Sequence, residues 1–116
     1  QDVLDETPNF ELLKQINDRR TAITATPLDV SISSRHDEYD CISRYFAPSN
    51  GINEDPVTGS IHTGIAPIWA EQLGKTQITA YQASSRGGVL HCELKDHDRI
   101  EISGYGKLYM QAELYL

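Results

Sequence analysis

Methionine is nearly absent from this chain, cysteine is scarce, and positive charge is outnumbered. Met110 is the only methionine, so the sequence opens on Gln1 without an initiator, as expected of a processed chain or a piece of something longer. Two cysteines, Cys41 and Cys92, do not make a disulfide scaffold in 116 residues; reduced, inert thiols in a cytosolic protein are the expected state. Ten basic residues stand against seventeen acidic ones, a net charge of −7. Such a surface repels phosphate backbones, which sets nucleic acid aside as a partner. No apolar run approaches the ~20 residues that span a bilayer, so no membrane partner is expected either. The first residues, "QDVLDETPNF", are acidic and lack the apolar segment of a signal peptide, which points to the cytoplasm.

What is present is ordinary globular material, 39% hydrophobic and 23% charged. A chain this long buries roughly two-thirds of its unfolded surface, enough for one domain over residues 1–116. "NFELLKQIN" spaces Phe10, Leu12, Leu13 and Ile16 as a short amphipathic helix. "TAITATPLDVSI" reads as a strand with Pro27 at an edge or bulge, "SSRHDEYD" as a connection, and "YDCISRYFA" as a strand ending near Pro48. "PSNGINEDPVTG" reads as a loop.

From Ser60 to Leu73 the apolar residues recur at helical intervals, and Gly74 supplies a stop. Pro67 removes the bond to Thr63, so a kink or a second helix starting there is expected. This helix carries almost no charge, and a helix apolar nearly all round has to be buried nearly all round. Three further strand candidates follow: "TQITAYQAS", "GVLHCELK" and the long "RIEISGYGKLYMQAEL", the last reading as two strands joined by a bend at Gly104 and Gly106. "SRGG" and "DHD" punctuate them as hairpins. The expected architecture is α+β, a mixed or antiparallel sheet wrapped around a central α-helix.

The chemistry concentrates in "NEDPVTGSIHTG", residues 53–64. The first amides of a helix have no partner inside it and carry the positive end of its dipole. A glycine before the helix lets an anion approach them, so "VTGS" is a candidate carboxylate or phosphate site. Ser60 adds a hydroxyl and Asp55 a carboxylate one short loop away, a pairing suited to proton movement beside a bound acid. A capped helix after a polar loop is the plainer alternative. His62 reads as a polar partner for a neighbouring strand before it reads as a catalyst. His36, His91 and His97 show no metal-ligand spacing, so no metal is expected. "SSRGGVL" resembles a phosphate loop, although two glycines in a hairpin turn explain it more simply. No G-x-S-x-G elbow is present.

The runs "SRYFAPSNGINEDPVTGSIHTGIAPIWAEQLGK", "AYQASSRGGVLHCEL" and "RIEISGYG" resemble the C-terminal half of the phenazine-biosynthesis-like (PhzF-like) isomerases and epimerases. "GINEDPVTGSIH" and the "RGG" turn are the most specific elements. The resemblance implies a diaminopimelate-epimerase-like fold, in which two similar halves each wrap a sheet around a helix and substrate lies between them. It implies Asp55 as the active-site aspartate and Ser60 as the active-site serine. The Gly59 and Ser60 amides would hold a small carboxylate substrate, Thr58 would shape the loop, and His62 matches a family histidine. No cofactor is implied.

The resemblance also implies a gap. Family members run to roughly twice this length, and their general acid/base glutamate and second clamp lie in the N-terminal half. On this reading the chain is a substrate-clamp domain, inactive alone, whose partner is an N-terminal half domain or a second copy in a homodimer. The alternative is a non-catalytic binding or assembly module, or a decayed half-enzyme that dimerises.

Overall fold

The computed structural model describes residues 1–16, 20–25 and 38–115. Pro27, His36 and most of the "SSRHDEYD" connection lie outside the described residues. Two short helices come first, α1 (Asp2–Asp5) and α2 (Phe10–Ile16). Strand β1 (Thr21–Ala25) pairs antiparallel with β2 (Cys41–Ala47), and a 3-10 turn (Pro48–Asn50) leads to β3 (Ile52–Glu54). Helix α3 (Gly59–Leu73) follows, then β4 (Gln77–Gln82), β5 (Gly88–Lys95) and β6 (Arg99–Ser103). The sheet order is β1-β2-β4-β5-β6, with β3 also paired to β2.

All pairings are antiparallel except β2 with β4. A parallel pair cannot be closed by a tight turn, and α3 supplies the crossover between those two strands. The helix therefore lies against the sheet centre. Ile65, Ala66 and Ala70 pack on Cys41, Ile78, Ala80, Leu90 and Cys92, with Ile61, Trp69 and Leu73 at the margin. Burial pushes the Cys41 thiol up to about 12 and the Cys92 thiol to about 11, which keeps both protonated and inert. Trp69 closes one side by donating its indole N–H to Thr24 Oγ1 at 2.9 Å.

Strand β2 is buried on both faces, which explains its nearly unbroken burial. Cys41 and Ser43 face α3, whereas Arg44 and Phe46 face the N-terminal helices. The Phe10 and Phe46 rings lie 6.1 Å apart. Arg44 makes two bonds to Glu54, Nε–Oε1 at 2.7 Å and Nη2–Oε2 at 3.0 Å, and its Nη1 reaches the Glu6 carbonyl at 2.7 Å. One planar guanidinium thus ties α1, β2 and β3 together, a geometry that an ammonium cannot reproduce. Arg44→Lys is expected to cost about 1–2 kcal/mol, the net worth of one or two lost hydrogen bonds, as a lower urea midpoint with an unchanged m-value.

Four expectations change. Residues 48–59 are not a plain loop, because Gly51 at φ +82° turns the chain so that β3 can pair with β2 beyond a register shift at Phe46 and Ala47. Pro67 does not divide the helix, which runs unbroken over fifteen residues. Thr63, whose carbonyl Pro67 cannot serve, is exposed to water. Nor is α3 buried all round: Thr63, Gly64, Glu71, Gln72 and half of Ile68 face outward. The final strand stops at Ser103. Beyond it, 104–115 has no regular structure, and among the described residues no strand pairs with it.

Gly74 ends α3 as expected. It takes φ +63°, its N–H bonds Glu71 O at 3.4 Å, and the Lys75 N–H bonds Ala70 O at 2.9 Å. This is a Schellman closure.

Candidate functional site

Thr58 is the N-cap of α3, extended at φ −122° and ψ 104°, yet its side chain makes no capping bond. Its hydroxyl instead donates to Asp55 Oδ2. The Gly59 and Ser60 end of the helix is exposed, with no side chain closing it. The first-turn amides, with their share of the helix dipole, therefore stay open to an anion.

The sequence did not single out the residue that arranges this. Gln82, at the end of β4, is fully buried. Its Oε1 accepts the Thr58 N–H at 2.7 Å, and its Nε2 donates to Asp55 O at 2.7 Å and Thr58 Oγ1 at 3.2 Å. One primary amide so fixes both ends of the four-residue turn that precedes the helix. The Asp55 N–H is held in turn by Tyr45 O at 2.9 Å. The signal was present in alternation: Ile78, Ala80 and Gln82 all point to the core, and an amide at an inward position needs partners.

His62 occupies the next turn. It is fully buried, with Nδ1 2.7 Å from Thr58 O and Nε2 3.2 Å from Ser43 Oγ. A carbonyl only accepts, so the ring proton sits on Nδ1, and Nε2 accepts from the serine. Both nitrogens are spent within the chain, so His62 presents nothing to a ligand; it ties α3 to β2. This is the polar contact with a neighbouring strand expected of it. Thr58 likewise is buried, with its N–H and hydroxyl engaged in the turn before α3. Asp55, Gly59 and Ser60 are left as the groups at or near the surface.

Burial lowers the His62 pKa, and the Thr58 carbonyl only partly opposes this. The folded state thus binds fewer protons than the unfolded one as pH falls. The stabilisation is complete above the unfolded value near 6.5 and is lost as pH falls from there through the depressed folded value. The slope reaches at most about 1.4 kcal/mol per pH unit. Urea midpoints between pH 7 and 5 are expected to drop more steeply for the wild-type chain than for His62→Gln; parallel curves would refute this.

In front of the helix start lies a cleft of about 690 Å³ that Val57 and Gly59 share with the Arg86–Gly88 turn, the end of β6 and residues 104–107. The turn is fitted closely to the loop. A Cβ on Gly88 would come within 2.2 Å of Val57 Cγ2, and Gly87 takes φ +71°. Ser84 Oγ donates to Pro56 O at 2.6 Å and accepts the Gly87 N–H at 3.1 Å. The two glycines are therefore required by contact and by backbone conformation. Among the described residues no cluster of His, Cys, Asp and Glu is arranged to hold a metal ion, and no helix is long and apolar enough to cross a membrane.

The sequence profile of phenazine biosynthesis-like proteins (PhzC-PhzF) matches residues 2–112. The chain belongs to this family. An uncharacterized isomerase of Pseudomonas aeruginosa is 44% identical over 109 residues, and one of Halalkalibacterium halodurans is 46% identical over the same length. Each alignment covers 94% of this chain but 38% of the relative. A putative phenazine biosynthesis PhzC/PhzF protein from Clostridium difficile superposes with a TM-score of 0.81 at 37% identity, over the whole chain and 41% of that protein. A PhzF-family protein from Enterococcus faecalis gives 0.70 at 35% identity, over 93% of this chain and 40% of its own. This chain has the PhzF, diaminopimelate-epimerase-like fold, and it spans well under half the length of the relatives it matches.

Proposed function

We propose that this PhzF-like chain is the C-terminal substrate-clamp domain of an isomerase or epimerase that moves a proton on a small carboxylate without cofactor. The observation that carries the reading is the open first turn of α3, with Gly59 and Ser60 exposed and Asp55 held beside them through Thr58. The bound carboxylate lies against the Gly59 and Ser60 amides. When the neighbouring carbon loses its proton, charge spreads onto that carboxylate, where the fixed amides stabilise it without reorganising. Asp55 takes or returns a proton on one side, and Ser60 offers its hydroxyl. The proton leaves one carbon and returns to another position or face, so no oxidant is consumed. A second acid/base, expected from the family's N-terminal half, completes the exchange.

The test is a hybrid in which this chain replaces the matching segment of the Clostridium difficile protein. It is incubated in D₂O with a panel of small amino, hydroxy and unsaturated acids. One acid is expected to gain a deuterium in the hybrid and not with this chain alone. Exchange by the isolated chain contradicts the half-site reading, and exchange by neither contradicts the isomerase reading.

A second reading rests on residues 104–115, where Tyr105, Leu108, Tyr109, Met110, Leu114 and Tyr115 are all strongly exposed. So much apolar surface favours an assembly role, in which a second copy covers this segment. Sedimentation at increasing concentration decides it: a dimer that dissociates on removal of 104–116 supports this reading, and a monomer throughout removes it.

A further inference from the structure

We infer that the cleft at the start of α3 is built for a ligand with two acid groups, the second of them held by Arg86. This rests on the carboxylate reading of the helix start and adds the class of acid that the site prefers. The chain is acidic, with seventeen acidic residues to ten basic ones. Yet the cleft lining contains two cations, Arg86 and Lys107, and no Asp or Glu among the described residues. Neither cation takes part in an ion pair among the described residues. A surplus of carboxylates elsewhere makes two unpaired cations in one concavity a feature of the site and not of the surface at large.

Arg86 is also placed by contacts that set it relative to Gly59. Ser84 bonds the Pro56 carbonyl, and Gly88 lies against Val57 as only a glycine can. Pro56 and Val57 run directly into the helix start, so the turn bearing Arg86 and the amides of the first helical turn are parts of one braced unit. A guanidinium presents paired N–H donors that match a carboxylate or phosphate. At about 690 Å³ the cleft falls within the usual range of small-ligand sites, roughly 300–1,000 Å³. That is more room than a lone carboxylate at the amides needs.

The test compares succinate with butyrate, equal in chain length and differing in one acid group, at matched ionic strength. Each is titrated into the ¹⁵N-labelled chain while the amide resonances of Gly59 and Ser60 are followed. Succinate is expected to bind at least tenfold more tightly than butyrate. Arg86→Gln is expected to erase that advantage by weakening succinate far more than butyrate, and to leave thermal unfolding unchanged, since the Arg86 side chain is exposed and in no ion pair among the described residues. Equal affinities for the two acids, or an advantage that survives in Arg86→Gln, would overturn the inference and leave the carboxylate site standing. Shifts with neither acid would remove the carboxylate site and the inference together.

Discussion

Replacing Gln82 with leucine is expected to destabilise the fold by about 2–6 kcal/mol, because it strands two buried groups, the Thr58 N–H and the Asp55 carbonyl, at roughly 1–3 kcal/mol each. Leucine is close to glutamine in size, so the cost is in polar satisfaction and not in volume. The loss has a second signature. Thr58 and Asp55 are the two ends of the turn before α3, so the helix start should lose its fixed form. Small-carboxylate shifts at Gly59 and Ser60 should then vanish under conditions where the variant remains folded. Urea unfolding supplies the first number and the amide titration the second. A folded Gln82→Leu chain with wild-type stability and unaltered shifts would show that the amide does not organise the site.

Asp55→Asn is expected to leave the fold nearly intact and to abolish proton transfer. An asparagine can accept the Thr58 hydroxyl through its side-chain oxygen, so the turn keeps its bond. The group can no longer take up a proton. In the hybrid with the Clostridium difficile protein, deuterium incorporation should fall by about 10²–10⁴-fold, the usual worth of a positioned acid or base. Binding of the carboxylate should persist, and with one negative charge fewer beside the site it should tighten. Exchange at an undiminished rate would take Asp55 out of the chemistry and leave it as a brace for Thr58.

These two substitutions separate what the sequence disclosed from what it did not. Local chemistry was legible. Gly74 announced the end of α3, "SRGG" and "DHD" announced hairpin turns, and "DPVTGS" announced an open helix start, because each depends on residues within a few positions of one another. His97 and Asp98, both in the left-handed region, show how much of the "DHD" turn lies in its backbone. The long-range ties were not legible. Gln82 meets Asp55 and Thr58 across more than twenty positions, and His62 meets Ser43 across nineteen. Only the parallel placement of β2 and β4 around α3 brings those pairs together.

The misreadings have the same source. Helical periodicity from Ser60 to Leu73 gave the helix correctly but overstated its burial. The sheet covers one side of α3, and the other carries Thr63, Gly64, Glu71, Gln72 and half of Ile68. The run after Ser103 alternates as a strand does, with Leu108, Met110, Ala112 and Leu114 on one parity, but alternation supplies no partner. Whether a strand forms there depends on what lies beside it. His62 stands only two residues after Ser60 and yet faces the other way. In an α-helix two residues amount to about 200° of rotation, which turns the side chain from the open face to the buried one.

The central claim is that the first turn of α3 holds a carboxylate with backbone amides, and the ¹⁵N spectrum of the chain under succinate titration tests it most directly. Saturable shifts that centre on Gly59 and Ser60, and that vanish in folded Gln82→Leu, are the result this account predicts. Shifts absent there, or centred on residues remote from the cleft, would contradict it.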